Sequence, residues 1–192
     1  QFHSDFFGDG FRRERWSHEL LYRISRRVAR LSNHVRVVST GVRDAIVAAG
    51  CASAEHISVV PVPVDFTPAL HEPTAAATPM VLFVGRLVGV KDLTLWLDTA
   101  AGIARACPGA RFVIAGDGPE KVSLEARARE LGLNVSFPGA VDHRDLPQLY
   151  AQASVFLLTS QYEGLGRVVV EAMLSGVPVV SVDIVGPRDL IS

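Results

Sequence analysis

Two glutamates of the segment SQYEGLGRVVVEAMLSG (residues 160–176) stand eight positions apart, on either side of a turn that contains Gly164 and Gly166. The glycines let the backbone approach a ligand closely, at the start of a predicted helix whose first N–H groups have no intrahelical partner. Glu163 would lie in the loop and Glu171 about one and a half turns into the helix. Because a carboxylate accepts hydrogen bonds from two hydroxyls, the pair suits the vicinal diols of a sugar or a ribose.

A plainer interpretation gives both glutamates structural roles. Glu163 would complement the helix macrodipole at the N-terminus, and Glu171 would be exposed on the surface. The helix sequence VVVEAML is apolar almost all round, however. Burying Glu171 there without a partner would be unfavourable, so the sequence predicts that its carboxylate has a partner.

A second candidate site follows a predicted strand at Val81–Val84. Gly85 permits a tight turn, Arg86 comes directly after it, and Lys91 stands five positions later, where a helix begins. Two cations beside a helix N-terminus suit an anionic ligand such as a phosphate. Either cation alone would be an ordinary exposed loop charge, but their place at the carboxyl end of a strand favours a ligand.

The next two strand ends carry less specific loops. Gly116-Asp117-Gly118-Pro119 partly matches the dinucleotide fingerprint G-x-G-x-x-G, but position 121 is Lys. A tight turn with Pro119 as the first residue of a helix is the better interpretation. Phe137-Pro138-Gly139 follows a third strand, and backbone groups of such a loop can hydrogen-bond the flat edge of a base.

Regular alternation of strands and helices positions these loops. The strands are predicted at Val81–Val84, Arg111–Ala115, Asn134–Phe137, Val155–Leu158 and 178–182, and the helices at 91–106, 119–131, 142–153 and 166–175. Continuously apolar strands are typical of a parallel sheet buried on both faces. The alternation therefore predicts a doubly wound α/β domain, in which ligands collect at the carboxyl ends of the strands.

The amino-terminal part has its own pattern, with strands at His34–Ser39 and His56–Pro61 and a helix at Thr40–Gly50. A connector rich in proline and alanine follows, in which the apolar periodicity is lost. We therefore predict domains at 1–66 and 80–192, joined by a linker at 67–79. The chain begins without Met and ends where a helix is starting, so we expect a fragment of a longer protein.

Composition limits the class of protein. The 192 residues are 48% hydrophobic with a net charge of −1, which excludes a disordered or fibrous chain. Every apolar run is shorter than the roughly 20 residues that span a bilayer. Cys51 and Cys107 lie far apart, without the spacing of a metal site, and are predicted to be reduced thiols, which favours the cytoplasm.

Seven arginines fall between residues 11 and 30, against two glutamates. Apolar residues recur there at helical spacing, which predicts an amphipathic helix at 11–31 with the arginines opposite the apolar face. One interpretation is a surface helix with a solvated basic face. The other is a face that meets anionic lipid headgroups or a phosphorylated acceptor. Nucleic acid is disfavoured because no aromatic or glycine residues alternate with the arginines.

Taken in order, the motifs resemble the retaining glycosyltransferases of the GT-B fold, family 4. The resemblance rests on the following segments: G-R-L…K (85–91), A-G-D-G-P (115–119), F-P-G (137–139), Tyr150 and E-G-x-G…E-A-M…G-x-P-V-V (163–180). The E-x7-E spacing is the family's hallmark. The resemblance covers the chain from about residue 34 to its end, and more loosely from residue 1. It implies that 80–192 is a Rossmann-like donor-binding domain and that 1–66 is the truncated end of a Rossmann-like acceptor-binding domain.

The resemblance implies a role for each candidate residue. Arg86 and Lys91 would hold the donor's diphosphate and stabilise the leaving nucleotide. Glu171 would bind the ribose hydroxyls, and Glu163 the hydroxyls of the donor sugar near the reacting carbon. The loop at 137–139, with Pro138 and Gly139, would take the base.

Further residues complete the implied donor and acceptor sites. The donor-binding set includes Gly85, Gly164, Leu165 and Gly166, the last two through backbone amides. Gln1-Phe2-His3 resembles the strand end that supplies an active-site histidine, which makes His3 a catalytic candidate beside Glu163, Arg86 and Lys91. An ordinary loop histidine is an equal alternative for His3.

Two residues depart from the family pattern. Leu165 stands where phenylalanine is common, which would alter the shape of the sugar pocket. Asp92 follows the lysine at a position where glycine is frequent.

The resemblance implies transfer of a hexose from a nucleotide-diphosphate sugar to a glycan or lipid-linked acceptor, with retention and without metal or cofactor. The reaction would serve polysaccharide biosynthesis in the cytoplasm, with peripheral contact at the inner membrane face through 11–31 and no nucleic acid as partner. The alternatives are a non-catalytic nucleotide-sugar-binding module and a GT-B sugar-nucleotide epimerase. A phosphorylase would need a cofactor lysine or an inorganic-phosphate pocket that the sequence does not offer.

Overall fold

The computed structural model describes residues 16–69 and 78–191. They form two compact units. The first contains the residues up to Pro63, Gln161–Gly166 and the residues from Asp183 onward; the second contains Val64–Ser160 and Arg167–Val182. The predicted assignment of 1–66 and 80–192 to acceptor and donor domains, with a linker between them, stays a prediction.

The second unit is built on five parallel strands in the order β5-β4-β3-β6-β7. The strands are β3 (Met80–Val84), β4 (Arg111–Ala115), β5 (Val135–Gly139), β6 (Val155–Leu158) and β7 (Val179–Ser181). Helices connect them: α3 (Leu93–Ala106), α4 (Lys121–Glu130), α5 (Leu146–Ala151) and α6 (Arg167–Leu174). The predicted α/β architecture with a parallel sheet is confirmed.

The strand order reverses between β3 and β6. From β3 the chain proceeds outward to β4 and β5, and from β6 it proceeds in the other direction to β7. In open α/β sheets the crevice at such a switch point, outside the carboxyl ends of the strands, is the usual ligand site. Every residue of β3 is buried, so the sheet that carries this edge is rigidly packed.

Several predicted element ends are wrong, and local turns explain them. Helix α3 begins at Leu93 instead of 91 because Gly89–Lys91 form a 3₁₀ turn. Helix α4 begins at Lys121, so Pro119 is not its first residue. Helix α5 is shorter than the predicted 142–153, since Asp142 organises a separate turn ahead of it through bonds to the N–H groups of residues 144–146.

The first unit contains α1 (Trp16–Leu31), β1 (Val35–Val37), α2 (Thr40–Ala48) and β2 (Ile57–Val59), with the two strands parallel. Its core is formed by seven buried residues: Ala29, Val35, Val37, Val42, Ile46, Cys51 and Ile57. Both cysteines of the chain are free thiols, as predicted.

Helix α2 is capped by side chains from distant parts of the first unit. The Asp189 carboxylate accepts the N–H groups of Thr40 (2.7 Å) and Gly41 (3.2 Å). At the other end, Arg26 and Arg30 donate to the carbonyls of Ala49 (3.4 Å) and Gly50 (3.3 Å). An anion at the N-terminus and cations at the C-terminus both complement the helix macrodipole.

The arginine-rich helix differs from the simplest expectation. Arg26 and Arg30 are engaged with α2, so the basic face is only partly solvated. The apolar stripe is the exposed side, since its members are 44–74% exposed: Leu20, Leu21, Ile24, Val28 and Leu31. Residues 11–15 of the predicted helix lie outside the described residues. Within the described ranges, no helix has the length and apolar character that crossing a bilayer requires.

Candidate functional site

The segment Gly85–Asp92, called here the cationic turn, begins at the carboxyl end of β3. Arg86 is exposed and Lys91 is half-buried. A Cβ atom placed on Gly85 would lie 3.9 Å from Cε of Lys91 and 3.1 Å from the Phe83 ring. The stem of Lys91 therefore passes over Gly85, the residue that directly precedes Arg86.

Backbone hydrogen bonds join the cationic turn to the loop after β4. The N–H of Gly85 donates to the Ala115 carbonyl (2.9 Å), and the N–H of Leu87 donates to the Asp117 carbonyl (2.9 Å). The approach leaves no room for a side chain, because a Cβ on Gly116 would overlap the Gly85 carbonyl oxygen. The glycines after β4 thus allow their loop to contact the cationic turn. This agrees with the predicted tight turn and not with a dinucleotide fingerprint.

The far end of the cationic turn is fixed by Thr159, which follows β6 at the switch point. Its buried hydroxyl lies 3.1 Å from the Lys91 carbonyl and 3.0 Å from the Asp92 carbonyl. Asp92 has a left-handed backbone (φ 45°) and caps α3 by accepting the N–H of Leu95 (3.3 Å). This backbone explains why glycine suits position 92, and aspartate tolerates it while adding a cap.

A mainly apolar cavity of about 410 Å³ opens at the carboxyl ends of β3, β4 and β5. Its lining includes Gly85, Gly116, Val141 and Leu146. The predicted base-binding loop at 137–139 is not a loop, because β5 continues through Gly139 and the Gly139 carbonyl accepts the N–H of Gly116 (2.8 Å). The cavity wall is formed instead by the two residues that follow the strand, Ala140 and Val141.

Glu171 lies in α6 with only 4% of its surface exposed. The Tyr150 hydroxyl is 3.1 Å from Oε2 of Glu171, and Nη2 of Arg167 is 3.9 Å from its Oε1. The interpretation of Glu171 as an exposed surface residue is therefore wrong, and the predicted partner exists within the protein. Burial, together with the neighbouring carboxylate, raises the pKa of Tyr150, so its hydroxyl remains a donor.

Glu163 belongs to the loop segment Gln161–Gly166 of the first unit and is half-buried. The backbone of Gly186 approaches this loop so closely that a Cβ there would lie 2.9 Å from the carbonyl oxygens of Glu163 and Gly164. Gly166 has a positive φ of 76° and is buried, and Leu165 is half-buried. His3 lies outside the described residues. The sugar-binding roles stay predictions.

Three residues of the site were not singled out from the sequence for the contacts they make. Tyr150 contacts Glu171, Thr159 fixes the cationic turn, and Arg167 stands beside Glu171. The signals were weak: a polar Thr directly after an apolar strand, and an Arg one turn before the buried Glu of the same helix. Tyr150 reaches across from another helix, which no local pattern shows.

Comparison with known proteins places this chain in a family. The model of Glycosyl transferases group 1 matches residues 71–192, more than half of the chain. Alpha-D-kanosaminyltransferase from Streptomyces kanamyceticus is 36% identical over 115 residues, which are 59% of this chain and 30% of that protein. Lipopolysaccharide 1,6-galactosyltransferase from Salmonella typhimurium is 35% identical over 162 residues, 80% of this chain and 44% of that protein.

Among solved structures, Anabaena HepE in complex with UDP-glucose superposes with a TM-score of 0.73 at 26% identity, over 88% of this chain and 50% of that one. The structural neighbours are GT-B glycosyltransferases, so the fold expected from the sequence is confirmed. This chain spans less than half of the length of the two sequence relatives. With the family match over residues 71–192, the chain belongs to the Glycosyl transferases group 1 family.

Proposed function

We propose that this chain carries the donor-binding part of an enzyme that transfers a hexose from a nucleotide-diphosphate sugar to a glycan or lipid-linked acceptor. The observation that carries the proposal is the cationic turn at the switch point, where the stem of Lys91 passes over Gly85, Arg86 follows directly in the chain, and two neighbouring loops hold the backbone. Fixed cations at this edge of a parallel sheet are suited to a diphosphate.

The base and the ribose of a nucleotide sugar have candidate binding surfaces in the second unit. The mainly apolar cavity beside Val141 and Leu146 would take the base, and the Glu171 carboxylate would accept the hydroxyls of a ribose. UDP is the first nucleotide to test, because the HepE structure holds UDP-glucose. Glu163 and the backbone at Leu165 and Gly166 would contact the sugar, and His3 would serve the acceptor side.

The proposed reaction proceeds with retention and without metal. The bond between the anomeric carbon and the diphosphate oxygen breaks, a bond to the acceptor oxygen forms on the same face, and the acceptor proton passes to the departing phosphate. Arg86 and Lys91 would stabilise the negative charge that grows on the diphosphate. These cations would supply the electrostatic stabilisation that a metal ion provides in other transferases. Activity that persists in EDTA is the expected result, and loss of activity that Mg²⁺ restores would contradict it.

The first experiment is calorimetric titration of the chain with UDP, GDP and ADP, alongside Lys91→Ala and Glu171→Ala. We expect one diphosphate to bind, and each substitution to weaken binding about tenfold because it removes a charge-assisted hydrogen bond. Arg105→Ala, an exposed cation in the last turn of α3, is the matched control and should bind as the unsubstituted chain does. A folded chain that binds none of the three diphosphates would contradict the proposal.

A turnover assay separates transfer from mere binding. Release of UDP from UDP-glucose, with capture of glucose by an acceptor, supports a transferase. Donor binding without turnover would favour a nucleotide-sugar-binding module, and inversion of a sugar hydroxyl would favour an epimerase. The name of one relative, lipopolysaccharide 1,6-galactosyltransferase, points to a glycan acceptor, and we propose a glycan.

We also propose that α1 brings the protein to the inner, anionic face of a membrane from the cytoplasm. The exposed apolar stripe from Leu20 to Leu31 runs beside exposed Arg23 and Arg27, an arrangement suited to a helix that lies in the headgroup region. Flotation with vesicles containing phosphatidylserine should carry the chain upward, and Arg23→Glu with Arg27→Glu should abolish this. Equal binding to neutral vesicles would contradict the preference for an anionic face. No binding to either kind of vesicle would contradict the membrane role and leave a protein partner for the stripe.

A further inference from the structure

The Tyr150 hydroxyl stands between two acceptors on α6. Oε2 of Glu171 is 3.1 Å away, and the Val168 carbonyl is 3.3 Å away. A phenol has one proton to donate. The Val168 carbonyl lies in the first turn of the helix, where the N–H of Ala172 is its ordinary partner. The proton therefore goes to the carboxylate, which is both closer and charged.

The ring of Tyr150 is held in place on two sides. Phe66 meets it edge-on, with centroids 5.6 Å apart at 88°, and Phe156 of β6 meets it at 5.9 Å and 48°. The whole residue is buried. A ring that is packed on two sides has little freedom to move its hydroxyl. The sheet, through Phe156, therefore fixes the position of the Tyr150 hydroxyl that donates to Glu171.

The two oxygens of Glu171 consequently have different surroundings. Oε2 receives the buried Tyr150 hydroxyl, while Oε1 is the oxygen nearest Arg167, whose side chain is 50% exposed. A carboxylate oxygen at 3.9 Å from a solvated guanidinium keeps lone pairs for another donor. One oxygen is thus committed to the buried Tyr150 hydroxyl, and the other, nearest the half-exposed Arg167, keeps capacity to accept a further hydrogen bond.

We infer that Tyr150 is a positioning residue: its hydroxyl orients the Glu171 carboxylate so that Oε1 meets the ribose hydroxyls of the donor. The inference rests on the proposed role of Glu171 in ribose binding. It adds a second residue on which recognition of the ribose depends, on a different helix and 21 positions earlier in the sequence. Tyr150 itself would touch neither the ribose nor the reacting atoms.

The role of Tyr150 is tested by comparing the binding of two nucleotides that differ only in the 2′ and 3′ hydroxyls of the ribose. The chain and its Tyr150→Phe variant are titrated with UDP and with 2′,3′-dideoxy-UDP, which keeps the base and the diphosphate. The unsubstituted chain should bind UDP the more tightly. Tyr150→Phe should reduce this preference about fivefold to tenfold, since a hydrogen bond to a charged group is lost, while affinity for the dideoxy compound stays unchanged. A merely structural tyrosine would change both affinities alike.

Two variants complete the design. Glu171→Gln should remove the preference for UDP, which tests the ribose role itself. Ser175→Ala removes a buried hydroxyl that bonds the Glu171 backbone carbonyl (2.9 Å) but not its carboxylate, so the preference should survive. If Glu171→Gln removes the preference and Tyr150→Phe leaves it intact, the positioning role is wrong and the proposed function stands. If Glu171→Gln also leaves it intact, or the unsubstituted chain has no preference, the positioning role of Tyr150 and the ribose role of Glu171 are both overturned.

Discussion

The cationic turn and the Glu171 carboxylate are held in place by different means. Arg86 is exposed, and the backbone beneath the turn is fixed by main-chain bonds to the loop after β4 and by the Thr159 hydroxyl. Glu171 is buried in an apolar helix and depends on a side chain from another helix. Positive charge at the site is thus placed by backbone geometry, and negative charge by a side-chain partner.

The difference follows from the cost of burying charge. A guanidinium or ammonium that keeps contact with water needs only a well-placed backbone, whereas a buried carboxylate needs a donor of its own. Changes in the loops should therefore act mainly through stability and shape. Changes around Glu171 should act through the hydrogen bonds of a single group.

The largest effect is expected from Gly116→Ala. The new Cβ would overlap the Gly85 carbonyl oxygen, at a φ of 147° that disfavours a side chain. We expect a loss of about 3 kcal/mol in the free energy of unfolding, measured by urea denaturation, together with loss of UDP binding. Gly109→Ala, which has open space around it, is the control. Equal stability of the two variants would show that the loops are not in contact.

Position 92 separates backbone strain from capping. Asp92→Ala would retain the left-handed conformation without the cap of α3 and should cost about 2 kcal/mol. Asp92→Gly should lie within about 0.5 kcal/mol of the unsubstituted chain, because relief of strain offsets the lost cap. Thermal unfolding of the two variants measures the difference. An alanine variant as stable as the glycine variant would contradict the left-handed turn.

Alkaline pH tests the carboxylate side. In the folded protein, burial and the Glu171 charge raise the pKa of Tyr150. In the unfolded chain, a tyrosine ionises at about pH 10. The stability that this shift contributes is fully present below about pH 10 and is lost as the pH rises further, by about 1.4 kcal/mol at pH 11. Urea unfolding at pH 9 and pH 11 should show this extra loss in the unsubstituted chain and not in Tyr150→Phe. Parallel loss in both chains would argue against a buried Tyr150 hydroxyl.

Thr159→Val should have the smallest effect. It removes the hydroxyl beneath Lys91 while keeping the shape of the side chain, and should cost about 1 kcal/mol of stability and several-fold in UDP affinity. Thr99→Val deletes a hydroxyl that bonds the Leu95 carbonyl on α3 and should change neither by much. If both threonine variants bind UDP equally well, the position of Lys91 does not depend on Thr159.

The sequence predicts the sheet better than it predicts the turns. Strands Arg111–Ala115 and Val155–Leu158 have the predicted bounds, because a short apolar run between two helical patterns leaves little choice. The starts of α3 and α4 were misplaced because they depend on the left-handed Asp92 and on the bond from the Glu120 N–H to the Leu87 carbonyl. A left-handed residue and a bond between separate loops leave no pattern in the local sequence.

The site divides in the same way. Arg86, Lys91 and Glu171 were proposed as site residues from residue type and spacing, and their roles stay predictions; the apolar surroundings of Glu171 correctly predicted that it has a partner. The identity of that partner depends on how α5 packs against α6, which a single sequence does not specify. The exposure of the apolar stripe of α1 could not be predicted either, since amphipathic spacing does not show which face of a helix is covered by the rest of the protein.

The cap of α2 has a consequence for the order in which the two units fold during synthesis. Asp189 bonds the N–H groups of residues 149 and 148 positions earlier in the chain. A ribosome releases α2 long before it releases Asp189, so the nascent helix has only Ser39 to cap its N-terminus. The second unit, by contrast, has all of its strands once Ser181 has emerged. We therefore expect the five-stranded sheet to form first during synthesis, and the amino-terminal unit to reach its final stability last.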